Sequence, residues 1–461
     1  MNRPSRHTAL PAGAAPALAS QLLPVADALA AVRQGQSVRT ALARVDAAQR
    51  PGVQALLFEV LRHLGTAEAL RGRLAARKPA APADALLCSA LALLLPEPPR
   101  YDAFTLVNQT VEAAKRRPAT RAQAAFINGC LRRFLRERDE LLAAVADDPA
   151  ARWNHPRWWL QRLQHDYPDH WQDILQANNA QAPLALRVNG LQVSRDAYLA
   201  QLADAGLDAV AGIGPAAILL RQAVPVDQLP GFGEGRVSVQ DCAAQMAAPL
   251  LLDGLAKPAG RPWQVLDACA APGGKTAHLL EHAGGSEAAQ VVAIEVDARR
   301  AERMQDTLSR VGVQAEMLVA DASDVPAWWP ALQARQGIAG FDGVLLDAPC
   351  SASGIVRRQP DVRWLRRATD IDQLATIQQR LLQQLWPLVL PGGRLLYCTC
   401  SVFRQEGEDQ IERFLAAHAD ARRLPAPGHL LPQRLLDGGE AADLARDHDG
   451  FYYALLERVA P

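Results

Sequence analysis

Two stretches of this sequence carry thiols beside groups that could put them to use. LLYCTCSVF (395–403) sets Cys398 and Cys400 two positions apart at the end of an apolar run. LLDAPCS (345–351) sets Asp347 three positions before Cys350, with Pro349 orienting the turn between them. A deprotonated thiol is a strong nucleophile, and a neighbouring carboxylate can hold or move a proton. Four uses compete for such cysteines: a disulfide, half of a metal site, buried apolar packing, or a nucleophile with a helper. The chain has seven cysteines, at 88, 130, 242, 269, 350, 398 and 400. An odd number at irregular spacing fits a reducing compartment rather than a disulfide framework. A bridge across one intervening residue would be strained. Zinc sites pair Cys or His at gaps of about two to four residues, and no second pair exists at such spacing, so no metal is expected. Packing and nucleophile remain open; a buried loop cysteine is also a common fate for a residue such as Cys350.

A second chemical signature is CAAPGGKT (269–276). It resembles a phosphate loop, but that motif needs glycine five positions before Gly274, and position 269 is Cys. Gly273 and Gly274 would still let a ligand come close to the backbone. Glu295 follows at about the spacing where an acid grips ribose hydroxyls in dinucleotide folds. A ribose-bearing ligand without a phosphate chain fits, and S-adenosylmethionine is one. Nucleotide binding and a purely structural loop stay as alternatives.

Two stretches are basic. Lys115 to Arg138 holds eight Lys or Arg, including Arg132 and Arg133, against the single acid Glu137. Ser351 to Asp370 holds Arg357, Arg358, Arg363, Arg366 and Arg367 against two Asp, with Trp364 among them. Either can be a solvated helical face or a surface that contacts RNA phosphates and bases.

The elements that must position these groups follow from hydrophobic period. WQVLD, VVAIE, EMLVAD, FDGVLLD and GRLLYCT read as short strands, separated by helical stretches such as DARRAERMQDTLSRVG. That alternation predicts an α/β domain over 236–461 with a mostly parallel, doubly wound sheet. Ligands in such sheets bind beyond the carboxyl ends of the strands, where Asp267, Glu295, Asp321, Asp347 and Cys400 all fall. Residues 21–145 read as an all-helical bundle, with Pro51 opening and Gly65 closing one helix. Residues 146–235 contain the strand-like PLALRVNG between Gly and Pro clusters and read as a linker or small subdomain. Residues 1–20 read as a disordered tail without a signal peptide. The whole is 461 residues with 49 Lys plus Arg and 49 Asp plus Glu, so global charge does not argue for nucleic acid. No window is long and apolar enough for a transmembrane span, and a cytoplasmic monomer with no membrane partner is expected.

At this point the motifs resemble a known family. DACAAPGGKT, LLDAPCSASGIVRRQPDVRW, YCTCS, VSVQDCAAQMA (237–247) and DGFYYALL are similar to the RsmB/Sun branch of RNA cytosine-C5 methyltransferases. The helical segment, with AAFINGCLRRFLRER, resembles the NusB-like RNA-binding domain of the bacterial small-subunit rRNA enzyme. The likeness runs from about residue 22 to 458. It implies S-adenosylmethionine as cofactor, a Rossmann-like catalytic domain, and 16S rRNA as partner, with the position-967 cytosine as target. It implies that Cys269, Ala270, Ala271, Pro272, Gly273, Gly274 and Lys275 hold the methionine end of the cofactor. Glu295 would take the ribose, Asp321 the adenine side, and Asp347 the space between cofactor and base. Cys400 matches the nucleophile and Cys350 the thiol that assists product release. The branch usually has Asp where this chain has Glu295, with Asp297 as an alternative, and a small residue other than Cys at 398. A tRNA or large-subunit rRNA target, or a non-catalytic RNA-binding assembly factor, are the competing functions.

Overall fold

The computed structural model describes residues 17–432 and 444–459, and the chain divides into two compact units. One comprises residues up to Leu160 together with Gln359–Leu365; the other comprises Gln161–Arg358 and Arg366 onward. The expected tail lies mostly outside the described residues, and the first helix already begins at Leu18.

The first unit is helical. Its main helices are Leu18–Arg33, Arg50–Arg62, Leu64–Leu74, Ala81–Leu93, Ala103–Arg116 and Ala124–Arg136. Helix Ala81–Leu93 is apolar on all sides apart from Asp84 and Ser89, and every residue from Ala83 to Leu93 is buried. Such a helix can only be the centre of a bundle. Its buried Asp84 is paired with Arg33 (3.1 Å) and Arg71 (3.0 Å), which offsets the cost of removing a carboxylate from water. Gly65 does not end a helix, contrary to the sequence reading. It sits in the first turn of the next helix, where an added Cβ would lie 2.3 Å from the Ala150 carbonyl oxygen. The glycine is there for close helix packing. The segment Gln359–Leu365 joins this unit through side chains: Asp361 accepts from the Val38 amide (2.9 Å) and Trp364 Nε1 donates to the Leu61 carbonyl (2.9 Å).

The second unit contains two sheets. Strands β1 (Leu184–Val188), β2 (Ala209–Ala211), β3 (Ala217–Leu220) and β4 (Val237–Val239) form an antiparallel sheet of order β2-β3-β1-β4. Strands β5 (Trp263–Asp267), β6 (Ala289–Glu295), β7 (Glu316–Val319), β8 (Phe341–Asp347), β9 (Val389–Thr399), β10 (Ala421–Leu430) and β11 (Phe451–Arg458) form the larger sheet. Its order is β10-β11-β9-β8-β5-β6-β7. Strands β5 to β9 pair in parallel, and β11 and β10 extend the sheet antiparallel. The mostly parallel α/β architecture is therefore as the sequence predicts, while the antiparallel pair does not follow from hydrophobic period. Side chains alternate between two cores: Leu396 and Cys398 enter one face, Leu395 and Tyr397 the other.

Candidate active site

The chain runs β5, β6, β7 in one direction and returns to place β8 on the other side of β5. The crevice above β5 and β8 is thus the topological switch point, where open α/β sheets bind ligands. Asp267 ends β5, Glu295 ends β6, Asp347 ends β8, and Cys400 follows β9 by one residue. Asp321 lies two residues beyond β7.

The loop after β5 folds tightly. Ala270 donates its amide to the Ile294 carbonyl and Gly273 to that of Ala270. Gly273 has φ +93°, open to glycine, and an added Cβ would meet Met304 Cγ at 2.8 Å. Helix Gly274–Ala283 starts at once, so its free N–H groups face the crevice end of the sheet. Asp267 is fully buried and accepts from Thr276 Oγ1 at 2.6 Å; burial pushes its carboxyl up to about 7.

Lys275 is the one cation of the loop, and it is committed. Its Nζ donates to Asp347 Oδ2 at 2.8 Å and lies 5.2 Å from the centre of the Phe451 ring. Burial works against the ammonium, but the facing Asp347 carboxylate raises its pKa nonetheless. The other Asp347 oxygen lies 3.5 Å from the Cys398 thiol. Cys398 is fully buried, and burial followed by the Asp347 charge holds its thiol well above the usual range. Cys400 is half-buried, and its sulfur lies 3.4 Å from that of Cys350. The hydrogen bond with Cys400, then burial, pushes Cys350 well up, so Cys350 keeps its proton. Either sulfur can be the donor in this contact. Asp347, Cys350, Cys400 and Lys275 therefore converge at the ends of β8 and β9.

Glu295 is buried, and one oxygen accepts from the Asp297 amide (3.0 Å) and Arg300 Nη1 (3.3 Å). Oxygen Oε2 carries no hydrogen bond among the described residues. Asp297 itself caps helix Ala298–Val311, accepting from the Arg299 and Arg300 amides. Asp321 is half exposed and takes the Ser323 amide and hydroxyl, which hold its carboxyl below the usual range.

The arginines after Cys350 are a correction. Arg357 (2% exposed) and Arg363 (0%) are internal, not an RNA-facing surface. Arg357 binds Asp449 (2.5 Å) and, bidentate, Asp447 (2.6 and 2.9 Å); Arg358 binds Asp449 (2.5 Å) and Asp241 (2.9 Å). Arg363 donates to the Asn154 carbonyl within the helical unit. Carboxylate and carbonyl partners remote in sequence turn the apparent basic patch into scaffold. Arg132 and Arg133, in contrast, are exposed on helix Ala124–Arg136.

Arg187, Phe451 and Glu406 belong to the site's surroundings and are not expected from the sequence. Arg187, on β1, is buried, binds Glu281 through two bonds (3.0 and 2.8 Å) and donates to the Gly274 carbonyl (2.7 Å). It thereby ties the smaller sheet to the helix that opens the loop. A lone charge inside the apolar PLALRVNG is the available signal. Among the described residues no helix is long and apolar enough to cross a membrane, and no group of three or more His, Cys, Asp or Glu is arranged to hold a metal ion.

Known proteins resemble this chain over nearly all its length. A family model described as 16S rRNA methyltransferase RsmB/F matches residues 256–457. The ferredoxin-like domain of RsmF/B-like methyltransferases matches 155–227, and the NusB family matches 21–136. The ribosomal RNA small subunit methyltransferase B of Pseudomonas putida is 42% identical, covering 95% of this chain and 98% of that protein. Its counterpart in Erwinia tasmaniensis is 40% identical, covering 92% and 95%. The crystal structure of PH0851 superposes with a TM-score of 0.72 at 24% identity over 95% of this chain and 99% of that one, which shows a shared fold. The chain belongs to the RsmB/F family of 16S rRNA methyltransferases, enzymes that use S-adenosylmethionine.

Proposed function

We propose that this methyltransferase modifies C5 of one cytosine of 16S rRNA, the position-967 type, through a covalent bond between Cys400 and C6 of the base. The observation that carries the reading is the 3.4 Å approach of the Cys350 and Cys400 sulfurs beside the Lys275–Asp347 pair. C5 of cytosine is a poor nucleophile. Addition of a thiolate at C6 turns C5 into an enamine-like carbon able to attack a methyl sulfonium.

The residues present suit S-adenosylmethionine. The loop's only cation faces Asp347, which leaves it unsuited to a phosphate chain, and Glu295 Oε2 stands ready for a ribose hydroxyl. In this reading Cys269 to Lys275 line the methionine end, Glu295 takes the ribose and Asp321 lies on the adenine side. When bound, the cofactor supplies the electrophilic methyl group.

The protein's own groups do the rest. Cys350 stands 3.4 Å from the Cys400 sulfur, where it assists the departure of that sulfur from C6 once the methyl group has been transferred. As negative charge develops at N3 of the base, Asp347 stabilises it by donating a proton there, a proton that reaches the carboxyl from the Lys275 ammonium hydrogen-bonded to it and returns when the Cys400–C6 bond breaks. After methyl transfer the C5 proton leaves to water and the Cys400–C6 bond breaks. Lys275 brings positive charge near Cys400, with Asp347 opposing it.

The test is substitution with RNA mapping. Cys400→Ser abolishes turnover, and Cys350→Ala accumulates a protein–RNA adduct stable in denaturant. Full turnover by Cys350→Ala with no adduct sinks the two-thiol reading. Bisulfite mapping of cells with and without the gene identifies the cytosine; loss of a tRNA or large-subunit mark in its place would reassign the substrate.

A further inference from the structure

The two thiols sit on separate loops, one after β8 and one after β9, yet their sulfurs are in contact. The strands themselves bring the loops only so far. The strand ladder ends with the bond from the Ala348 amide to the Cys398 carbonyl (2.9 Å), and beyond it the loops share one more backbone bond, from the Gly354 amide to the Cys400 carbonyl (2.9 Å). The side-chain tie between them is a fully buried carboxylate. Glu406 Oε1 accepts from the Ser351 amide (2.8 Å), and Oε2 accepts from the Ser351 hydroxyl (2.5 Å) and the Ser401 hydroxyl (2.6 Å). Ser351 follows Cys350 and Ser401 follows Cys400. One carboxyl group thus grips the residue next to each thiol.

Glu406 is itself rigidly held. It ends the short turn Arg404–Glu406, and its carbonyl accepts from the buried Tyr397 hydroxyl at 2.8 Å. Gln378, fully buried on helix Ala368–Leu385, donates both to Glu406 Oε1 (3.2 Å) and to the Pro349 carbonyl (2.9 Å). Ser353 closes the clasp: its hydroxyl pairs with that of Ser401 (2.8 Å) and accepts from the Val402 amide (2.9 Å). From the solvent side Arg366 donates to the carbonyls of Ser351 (3.0 Å) and Cys350 (3.2 Å).

A buried carboxylate is costly unless donors replace its water. Three of the four donors here come from the residues beside the thiols. A carboxylate that served general packing would have no reason to address those two positions together. We infer that Glu406 is a positioning residue for the reaction: it fixes the distance between Cys350 and Cys400 so that one can donate to the other throughout the cycle. The inference rests on the two-thiol reading, and it concerns a residue that never touches the base.

The test uses the full-length enzyme with a 16S rRNA transcript in which cytosine carries fluorine at C5. Fluorine in place of the C5 proton blocks the final elimination, so the Cys400–C6 bond persists and its formation rate can be followed. A misplacement of about 1 Å at a reacting group can cost about 100-fold in rate. Glu406→Ala is expected to slow both turnover and adduct formation by about that factor, with KM for S-adenosylmethionine within about twofold. It is also expected to lose cross-linking of Cys350 to Cys400 by a short bifunctional thiol reagent. Glu406→Gln is expected to recover most of the rate, because serine hydroxyls can turn and accept from the new amide. Wild-type turnover and cross-linking in Glu406→Ala would overturn the inference, as would an effect confined to cofactor KM. If Glu406→Ala does not fold, Ser351→Ala and Ser401→Ala decide: slowed adduct formation with normal cofactor affinity supports the clasp, and wild-type rates in both sink it. If the wild-type enzyme forms no adduct, the covalent reading itself fails, while the cross-linking yields still report whether Glu406 holds the sulfurs together.

Discussion

Arg132, Arg133 and Arg136 stand on one helix of the first unit; Arg357 and Arg358 stand on a loop of the second. Both groups are consecutive or near-consecutive arginines beside apolar residues, and they have opposite environments. The helical set points to solvent, with exposed-side Glu137 paired with Arg133 and Arg136 at 2.7 Å. The loop set is enclosed by Asp241, Asp447 and Asp449. The difference is what surrounds the charge after folding. On the helix one face turns outward, so its cations leave a surface free to meet phosphates. On the loop the chain's own later residues supply the anions, and the guanidinium forks become structural cross-links.

That contrast can be broken from either side. The largest effect belongs to Arg357. Replacing it with Ala leaves buried Asp447 without its guanidinium and Asp449 with Arg358 alone, and the stability loss should reach about 3–5 kcal/mol, read from the denaturant midpoint. Lys in its place should recover little, because an ammonium cannot bind Asp447 and Asp449 through a planar fork. A midpoint unchanged by Arg357→Ala would mean the cluster is no more structural than the helix.

The next largest effect is on RNA. Replacing Arg132, Arg133 and Arg136 together by Ala should weaken binding of a 16S rRNA fragment. It should also lower the slope of log affinity against log salt by about 2, since each phosphate left without its cation accounts for roughly 0.7 to 0.9. The denaturation midpoint should stay where it was. An unchanged salt slope would make this helix an ordinary solvated face.

A smaller, pH-dependent effect separates the two regions further. Burial alone would raise the Asp449 carboxyl, but Arg358 and Arg357 together bring it below the usual carboxylate range. Its folded value is thus below its unfolded value, and its stabilising contribution is present above pH of about 4 and lost as pH falls through the folded value. Neighbouring Asp241 moves the other way: burial and then Asp449 raise it, so its contribution is lost as pH rises. Acid denaturation of Asp449→Asn should therefore show a flatter acid limb than the wild type, and the triple helix variant an unaltered one. The smallest effect should come from Glu137→Ala, which removes only the exposed pairs and should leave the midpoint unmoved while tightening RNA binding slightly.

The catalytic unit was legible where local rules act alone. WQVLD, FDGVLLD and GRLLYCT read as strands because β-branched and apolar runs of that length, bounded by polar turns, have little other use, and each leads to a residue that reaches the crevice. The loop 269–276 was legible as a close-approach turn because paired glycines and a missing phosphate-loop glycine are sequence facts. Gly65 misled, since a glycine after an apolar helix usually caps it; helix Arg50–Arg62 ends earlier, and only the neighbouring Ala150 carbonyl shows why a glycine stands in the first turn of the next helix. The antiparallel strands Ala421–Leu430 and Phe451–Arg458 were not legible as a pair, because the first is broken by two prolines and a glycine and lacks a clear period.

Sequence alone determined which residue types were available for chemistry, and that they gather at strand ends. Alternation places Cys398 and Cys400 on the same face, where Cys400 packs against the core that Cys398 enters with Leu396, and it was the resemblance of the YCTCS motif that told the two apart. What the tertiary structure decided is pairing. That Cys400 meets Cys350 rather than Cys398, that Lys275 faces Asp347, that Arg357 finds Asp447 ninety residues on, and that Glu406 clasps Ser351 to Ser401 all depend on strand order and loop path. Hydrophobic period is set by a residue's near neighbours and survives in one dimension. A hydrogen bond between distant side chains depends on two segments meeting, and only the folded chain specifies where they meet.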